Sequence, residues 1–351
     1  PLGRPSEFIN EEINELKNKK ILFVAGGVGA APVYPQVKWL SERGIKTDVI
    51  IGGRSKEFVI LEDEMRAVAK ELLESGKATV VLGWEKGTMP YDSTPVMIRS
   101  AADVDKLIWD EYCLQNLSTY LIDFINSEDK VAIFAKGCDT RAYNRLVHDK
   151  RINPENSIVI GVPCSGMKNP KVAAKTPAGA EVPMANACKE CRYPNPVACD
   201  QKIGSDVTPW CTAKDFSDVE AIEAMDADAK AAFWKEQYSK CIRCYACRNI
   251  CPACNCTNCI FDQSASGWCS KDVNASENQF YGVTRAFHVA GRCIECGQCE
   301  AVCPSDVPIM LMNKKFIKDI DTLFGNYEAG LVTEGTTPLN SYQVADPEEF
   351  M

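Results

Sequence analysis

The chain has 351 residues, enough for two or three domains, and its 46% hydrophobic content excludes a disordered polymer. A formal net charge of −9 argues against nucleic acid as a partner, because neutralising phosphates needs a basic face. Nineteen cysteines, an odd number in tight clusters, follow a leading segment with no apolar secretory core, so they are expected to be metal ligands in a reducing, cytoplasmic setting rather than a disulfide framework.

Residues 20–53 predict strand, tight turn, helix and strand, one half of a dinucleotide-binding unit. The run ILFVAGGVGAAPVY within it is the longest apolar stretch, too short and too glycine-rich to span a bilayer. EFVILEDEMRAVAKELLESG reads as the long helix that follows. A second α/β layer begins near residue 77. KATVVLGWEKG predicts a strand and turn, and DVDKLIWDEYCLQNLSTYLIDFIN a helix. DKVAIFAKGCDTRAYNRLVHD followed by NSIVIGVPCSG predicts strand, loop, helix and strand in a parallel sheet. Pattern fades over 168–212. Helices are then expected over 213–240, over ENQFYGVTRAFHVAG and over IMLMNKKFIKDIDTLFG. The last twenty or so residues read as a tail that orders only against a partner.

CIRCYACRNICP (241–252) and CIECGQCEAVCP (293–304) share the spacing C-x2-C-x2-C-x3-C-P. Three thiolates two residues apart can wrap one corner of a cubane cluster, and in two-cluster ferredoxins the fourth cysteine binds the other cluster. The expected ligand sets are therefore Cys241, Cys244, Cys247 with Cys303, and Cys293, Cys296, Cys299 with Cys251. Zinc sites favour two C-x2-C pairs a dozen or more residues apart. Cys188, Cys191 and Cys199 need one more ligand to hold a third 4Fe–4S cluster. Cys138 and Cys164 each follow a predicted strand, and Cys164 is the closer in sequence. The alternative is that these are plain buried thiols. Cys254, Cys256 and Cys259, with Cys269, suit a fourth cluster or a zinc ion. Cys113 and Cys211 stay unassigned. With only two histidines, His148 and His288, histidine acid–base catalysis has little support, and His288 reads as a packing residue.

Residues 230–325, with a helix before each motif and one after the second, resemble the α-helical ferredoxins of heterodisulfide reductase and succinate dehydrogenase. That resemblance implies a relay of single electrons. KGCDTRAYNRLV and IGVPCSGM, within 77–212, resemble the β subunits of deazaflavin-reducing hydrogenase and formate dehydrogenase, which implies an α/β domain beside a flavin and a cluster. GCDTR opens a helix, whose start suits the phosphate of FAD or FMN with Arg141 assisting. The alternative is a simple cap by Asp139 or Thr140. PLGRPSEF, VAGGVGAAPVYP, IIGGRSKE and ILEDEMRAV resemble the nicotinamide domain of the ferredoxin reductase family, in the small subunit of NADH-dependent ferredoxin–NADP oxidoreductase. This implies NAD(P) at Gly27, Gly29, Arg54 and Ser55, in about half of such a domain. The flavin half then lies on another chain, or the piece is a structural adaptor.

The expected fold class is α/β, a partial Rossmann-like unit plus a second α/β domain, followed by an α-helical two-cluster ferredoxin domain. The expected divisions are 1–76, 77–212, 213–330 and a tail over 331–351. The expected role is an iron–sulfur electron-transfer subunit with redox partners: a flavoprotein, hydrogenase, formate dehydrogenase or heterodisulfide-reductase-like subunit. The rival readings are a self-sufficient flavin and iron–sulfur NAD(P)H oxidoreductase and a zinc-stabilised scaffold.

Overall fold

Val80, Val81, Leu82 and Trp84 are closed to solvent, and so is every residue of Val131–Ala135. Strands covered on both faces read as unbroken apolar runs, and these two form the centre of a mostly parallel sheet. The computed structural model describes residues 21–26, 47–52 and 56–339, save 178, 264–266, 268 and 271, together with single positions at 16, 36, 39, 40, 43 and 45. The chain divides into two compact units, 1–63 and 64–351.

In the first unit, β1 (Ile21–Gly26) and β2 (Thr47–Gly52) pair in parallel, Ile21 beside Thr47 and Gly26 beside Gly52. Leu16, Leu40 and Ile45 form a buried cluster with Ile21 and Trp39 packed against it. Gly27, Gly29, Arg54 and Ser55 lie outside the described residues. The division between units falls within helix α1 (Lys56–Glu74), whereas the sequence suggested a boundary after that helix.

The second unit contains a five-stranded sheet in the order β4 (Ser93–Ile98), β3 (Val80–Lys86), β5 (Val131–Ala135), β6 (Ser157–Gly161), β7 (Gln201–Lys202). Only the β3–β4 pair is antiparallel. Helix α2 (Gly137–His148) connects β5 to β6. The helix expected over 103–126 is replaced by two 3-10 turns, Ala101–Lys106 and Ser118–Phe124, around an irregular loop. Side chains there take the backbone N–H groups a helix would need. Tyr112 N–H donates to Asp110 (2.9 Å), Leu117 N–H to Asp139 (2.6 Å) and Ser118 N–H to Asn116 (3.1 Å).

The cysteine-rich part is framed by α3 (Ser217–Glu223), α4 (Ala227–Ser239), α6 (Ala275–Val289) and α8 (Ile309–Phe324), with the short α5 (Ala246–Asn249) and α7 (Gln298–Ala301) opening just after each motif's second cysteine. Asp226 and Asn274 cap α4 and α6 by accepting from Ala229 and Glu277 N–H. Helix α6 packs between α4 and α8, and α5 packs on α7. Gly282 makes the α4–α6 approach possible: a Cβ there would fall 2.1 Å from the Tyr238 ring. No helix among the described residues is long and apolar enough to cross a membrane.

The segment that leads from α8 into the expected tail (331–351) is anchored within the chain as far as residue 335. It lies along α2, with the Arg141 guanidinium donating to Ala329 O (3.0 and 2.9 Å) and Asn144 Nδ2 to Gly330 O (3.0 Å). Residues 340–351 lie outside the described part.

Asp149, just beyond α2, is the second tie between the sheet and the cysteine-rich part. It accepts from Arg145, from Asn255 Nδ2 and from Arg292, the residue before Cys293. Burial alone would raise its carboxyl pKa. The hydrogen bonds from Arg145, Arg292 and Asn255 outweigh that and draw it down to about 2. A carboxylate with a depressed folded-state pKa adds stability above its unfolded value and loses it as pH falls through the folded one. Asp149→Asn is expected to cost about 2 kcal/mol at neutral pH. Its deficit in anaerobic unfolding should be constant above about pH 5 and shrink as pH falls toward 2.

Candidate metal centre

The two motifs wind alike. Arg243 (φ 52°) and Tyr245 (φ 61°) in the first match Glu295 (φ 61°) and Gly297 (φ 67°) in the second, all in the left-handed region. Alternating handedness curls a loop so that its N–H groups point inward. The Arg243 N–H donates to Cys241 Sγ at 3.4 Å, and the N–H groups of Glu295 and Gln298 bond the sulfurs of Cys293 and Cys296. Only glycine fits at 297, where a Cβ would lie 2.4 Å from Ala187 Cβ. Glu295 is held by a forked ion pair with Arg192 (3.0 and 3.1 Å).

Cys303 reaches across to the first motif. Cys241, Cys244, Cys247 and Cys303 line one cavity. Cys251 reaches the other way and is an electrostatic neighbour of Cys293, Cys296 and Cys299. Cys299 and Cys303 are buried, and Cys244 is exposed. Burial pushes the Cys293 thiol up to about 12, the Cys251 charge adding to the effect. Such a thiol ionises readily only when a metal takes its proton's place.

The surroundings suit sulfur-rich anionic clusters. Asn313 Nδ2 lies 3.8 and 3.9 Å from the sulfurs of Cys293 and Cys299, and Tyr281 Oη lies 3.4 Å from Cys247 Sγ. Arg285 is buried at 4% exposure. Its Nη2 donates to Cys247 O at 3.1 Å, while Nε and Nη1 have no partner among the described residues. Buried N–H groups without partners mark a place where an acceptor belongs. The sequence reading passed over all three. The signal was an arginine within the buried stripe Asn278, Tyr281, Arg285, Val289 of an otherwise packed helix.

A third group of thiols gathers at the carboxyl edge of the sheet. Cys138 follows β5 and Cys164 follows β6, which are parallel neighbours. Both, with Cys188 and Cys191, line a cavity of about 560 Å³ whose wall also includes Cys296. Burial pushes Cys164 up to about 12. Cys199 was grouped with these cysteines in the sequence, but the structure sets it apart. It is exposed, its sulfur 2.9 Å from where a Cβ on Gly161 would sit. The reason is the chain's course. Val197 N–H donates to Thr140 Oγ1 (3.0 Å) and Val159 N–H to Asp200 (2.7 Å), which lays residues 195–202 along the sheet edge and away from the cavity. Cys138, and not Cys199, lines the cavity with Cys164, Cys188 and Cys191.

Cys254, Cys259 and Cys269 meet different neighbours. Cys254 hydrogen-bonds Cys251, Cys259 neighbours Arg248, and Cys269 faces Glu277 at 3.0 Å. Among the described residues no three histidine, cysteine, aspartate or glutamate side chains converge as a single ion would require. Cys113 is fully buried, and Cys211 Sγ lies 3.2 Å from Lys189 O. His148 Nε2 meets Gly335 O at 2.9 Å, and His288 is exposed rather than packed.

The start of α2 is capped from within the chain. Asp139 accepts from Lys136 N–H (2.9 Å) and caps the helix, Arg141 is engaged by Ala329, and the Tyr193 carbonyl covers Gly137. Lys136 is buried beside Asp139 (2.8 Å), with its ammonium 4.0 Å from the Trp84 ring centre.

A family model described as a 4Fe-4S dicluster domain matches residues 240–308, so the chain carries an iron–sulfur domain there. An uncharacterized protein of Clostridium beijerinckii, encoded in an adh 3′ region, is 61% identical over 72 residues, 20% of this chain and 24% of that one. The F420-dependent formate dehydrogenase subunit beta of Methanocaldococcus jannaschii is 23% identical over an alignment covering 73% of this chain and 89% of the relative. A Thermotoga maritima homolog of the electron transfer subunit of dihydroorotate dehydrogenase B (NAD(+)) is 38% identical over 21% of this chain and 23% of the relative. The chain thus spans about a quarter of the Clostridium and Thermotoga relatives and most of the Methanocaldococcus one. The last two are named as subunits of oxidoreductases.

A Cβ at residue 137 would lie 1.9 Å from the Tyr193 carbonyl oxygen. Gly137→Ala is therefore expected to cost about 3 kcal/mol, the upper end for overpacking. Thermal unfolding should show a lowered midpoint, whereas Gly76→Ala, at an open position, should show only the smaller strain of its positive φ (70°).

Proposed function

We propose that the chain is an iron–sulfur electron-transfer subunit of a larger oxidoreductase, relaying electrons between a flavin–NAD(P)H site and a partner redox subunit. The observation that carries this reading is the exchange of fourth cysteines. Cys303 stands with Cys241, Cys244 and Cys247, and Cys251 stands near Cys293, Cys296 and Cys299. Each set would hold one 4Fe–4S cluster, which supplies one-electron chemistry when bound. The cysteines serve as ligands, and the N–H and O–H groups around them set the potentials.

Cys138, Cys164, Cys188 and Cys191 would hold a third cluster. Their cavity shares a wall with Cys296, which supports an order of transfer from this group to the Cys293 set and on to the Cys241 set. Exposed Cys244 and the exposed Ile242 beside it suit an outlet toward a partner. The names of the relatives support a multi-subunit complex, and formate dehydrogenase, hydrogenase, flavoprotein and heterodisulfide-reductase-like subunits all match the chemistry. NAD(P) at Gly27, Gly29, Arg54 and Ser55 is supported by the strand pair β1–β2 and by the relative named for NAD(+).

A second reading, a flavin and iron–sulfur enzyme complete in one chain, is favoured by the size of the 560 Å³ cavity, which has room for more than a cubane. Its basic wall includes Lys136, Arg192 and Lys314. A purified chain that keeps flavin absorbance and oxidises NAD(P)H with a dye acceptor would support it.

Anaerobic iron and acid-labile sulfide analysis should give about twelve irons per chain, four per cubane. Zinc without sulfide would overturn the electron-transfer reading. Cys138→Ser should lose about four irons and Cys199→Ser none, if the third group is as described.

A further inference from the structure

Arg285 sits where the two crossed cysteine sets meet. It projects from the buried stripe of α6, and both cavity-lining Cys247 and the second set's Cys299 and Cys251 are among its charged neighbours, with Cys254 beside them. Burial opposes its charge, and the thiolates of Cys299, Cys251, Cys254 and Cys247 offset that opposition. Its bond to the Cys247 carbonyl uses Nη2, and Nε and Nη1 remain without partners among the described residues. A guanidinium kept from water without hydrogen bonds on two of its nitrogens is costly. Packing alone does not explain an arginine here, since an apolar side chain of that length would fill the same space at lower cost.

The aliphatic surroundings sharpen the point. Arg285 is flanked on its own helix by Tyr281, Ala286 and Val289, all buried. Asn313, from α8, shares the cavity wall and directs its Nδ2 toward the sulfurs of Cys293 and Cys299. Donors from two helices thus surround the sulfur ligands, Asn313 by its distances to them and Arg285 by its bond to the Cys247 carbonyl. A carboxylate partner is not among the hydrogen bonds of Arg285, so its charge is not spent on an ion pair.

From this geometry we infer that Arg285 is a shared counter-cation for both clusters of the 240–308 domain, a positioning residue that holds both of their potentials up. The inference rests on the two-cluster reading above. A fixed positive charge favours the reduced, more negative state of any redox group beside it, and low dielectric strengthens the effect. Because one guanidinium neighbours both sets, its effect falls on both clusters together and raises both potentials. Its burial also shields the effect from salt.

The test uses the full chain, purified anaerobically, with iron and sulfide measured first. A wild-type chain without the irons of two cubanes would overturn the underlying reading, independently of Arg285. With clusters present, EPR-monitored redox titration should show both midpoint potentials lowered in Arg285→Gln and largely restored in Arg285→Lys. Unchanged potentials in Arg285→Gln, or a fall in only one of them, would overturn the shared role while leaving the clusters in place. Should Arg285→Gln fail to load clusters, wild-type protein carrying arginine labelled with ¹⁵N only in the guanidinium decides the matter. Pulsed EPR of its reduced clusters should show a ¹⁵N coupling from the guanidinium, and a spectrum without it would overturn the proposal.

Discussion

The cysteine-rich part of the molecule depends on one constraint: each motif sends its fourth cysteine toward the other motif's first three, so that on the proposed reading each site takes three sulfurs from one motif and one from the other. Neither motif can be completed alone, so the two loops must fold as a pair. The rest of the architecture serves that pairing. Gly282 lets α4 and α6 close together, α5 packs on α7, and buried Asn278 fastens the end of α4 by donating to Tyr238 O (3.1 Å) and Cys241 O (2.7 Å). Burial then does the electrical work. Thiols closed off from water hold their protons unless metal replaces them, and the interior amplifies every donor placed beside the sulfur.

The two sets are not equivalent within the fold. The second motif is tied to the sheet by Arg192 and Glu295, by Arg292 and Asp149, and by Ile294 packed with Ala142 and Ala329. The first motif is bound more lightly and carries an exposed cysteine. That asymmetry gives the proposed relay a direction in space, from the cavity at the sheet's carboxyl edge toward the surface around Cys244. Buried cations gather around the thiols, most of them in ion pairs with neighbouring carboxylates. Lys136, Arg141, Arg192, Arg285 and Lys314 are buried or nearly so, and each stands close to a thiol group or the cavity that thiols line.

The ferredoxin motifs were legible because their information is local. Spacing of two and three residues fixes which sulfurs can share a corner, and the terminal proline marks the turn away. The sheet strands were legible for the same reason, as continuous apolar runs. What escaped depended on contacts distant in sequence. The 103–126 segment has helical spacing, yet Asp110, Asn116 and Asp139 divert its backbone N–H groups. Cys199 lies close in sequence to Cys191, but the pull of Thr140 and Asp200 carries it off, and Cys138 arrives from the neighbouring strand. The segment near 330 looked unanchored because its anchors, Arg141 and Asn144, lie on a helix nearly two hundred residues earlier. Arg285 was invisible as a functional residue until its empty N–H groups could be seen against the sulfurs.

The paired, crossed arrangement is tested most directly by the EPR spectrum of the fully reduced protein. Two cubanes held by interleaved ligands lie close enough for their spins to interact. The account predicts a broadened, split spectrum, and Cys303→Ala, which removes one site of the crossed pair, should abolish the splitting that this pair contributes. Two independent, unsplit signals in the wild-type protein, or the absence of any iron–sulfur signal on full reduction, would contradict it.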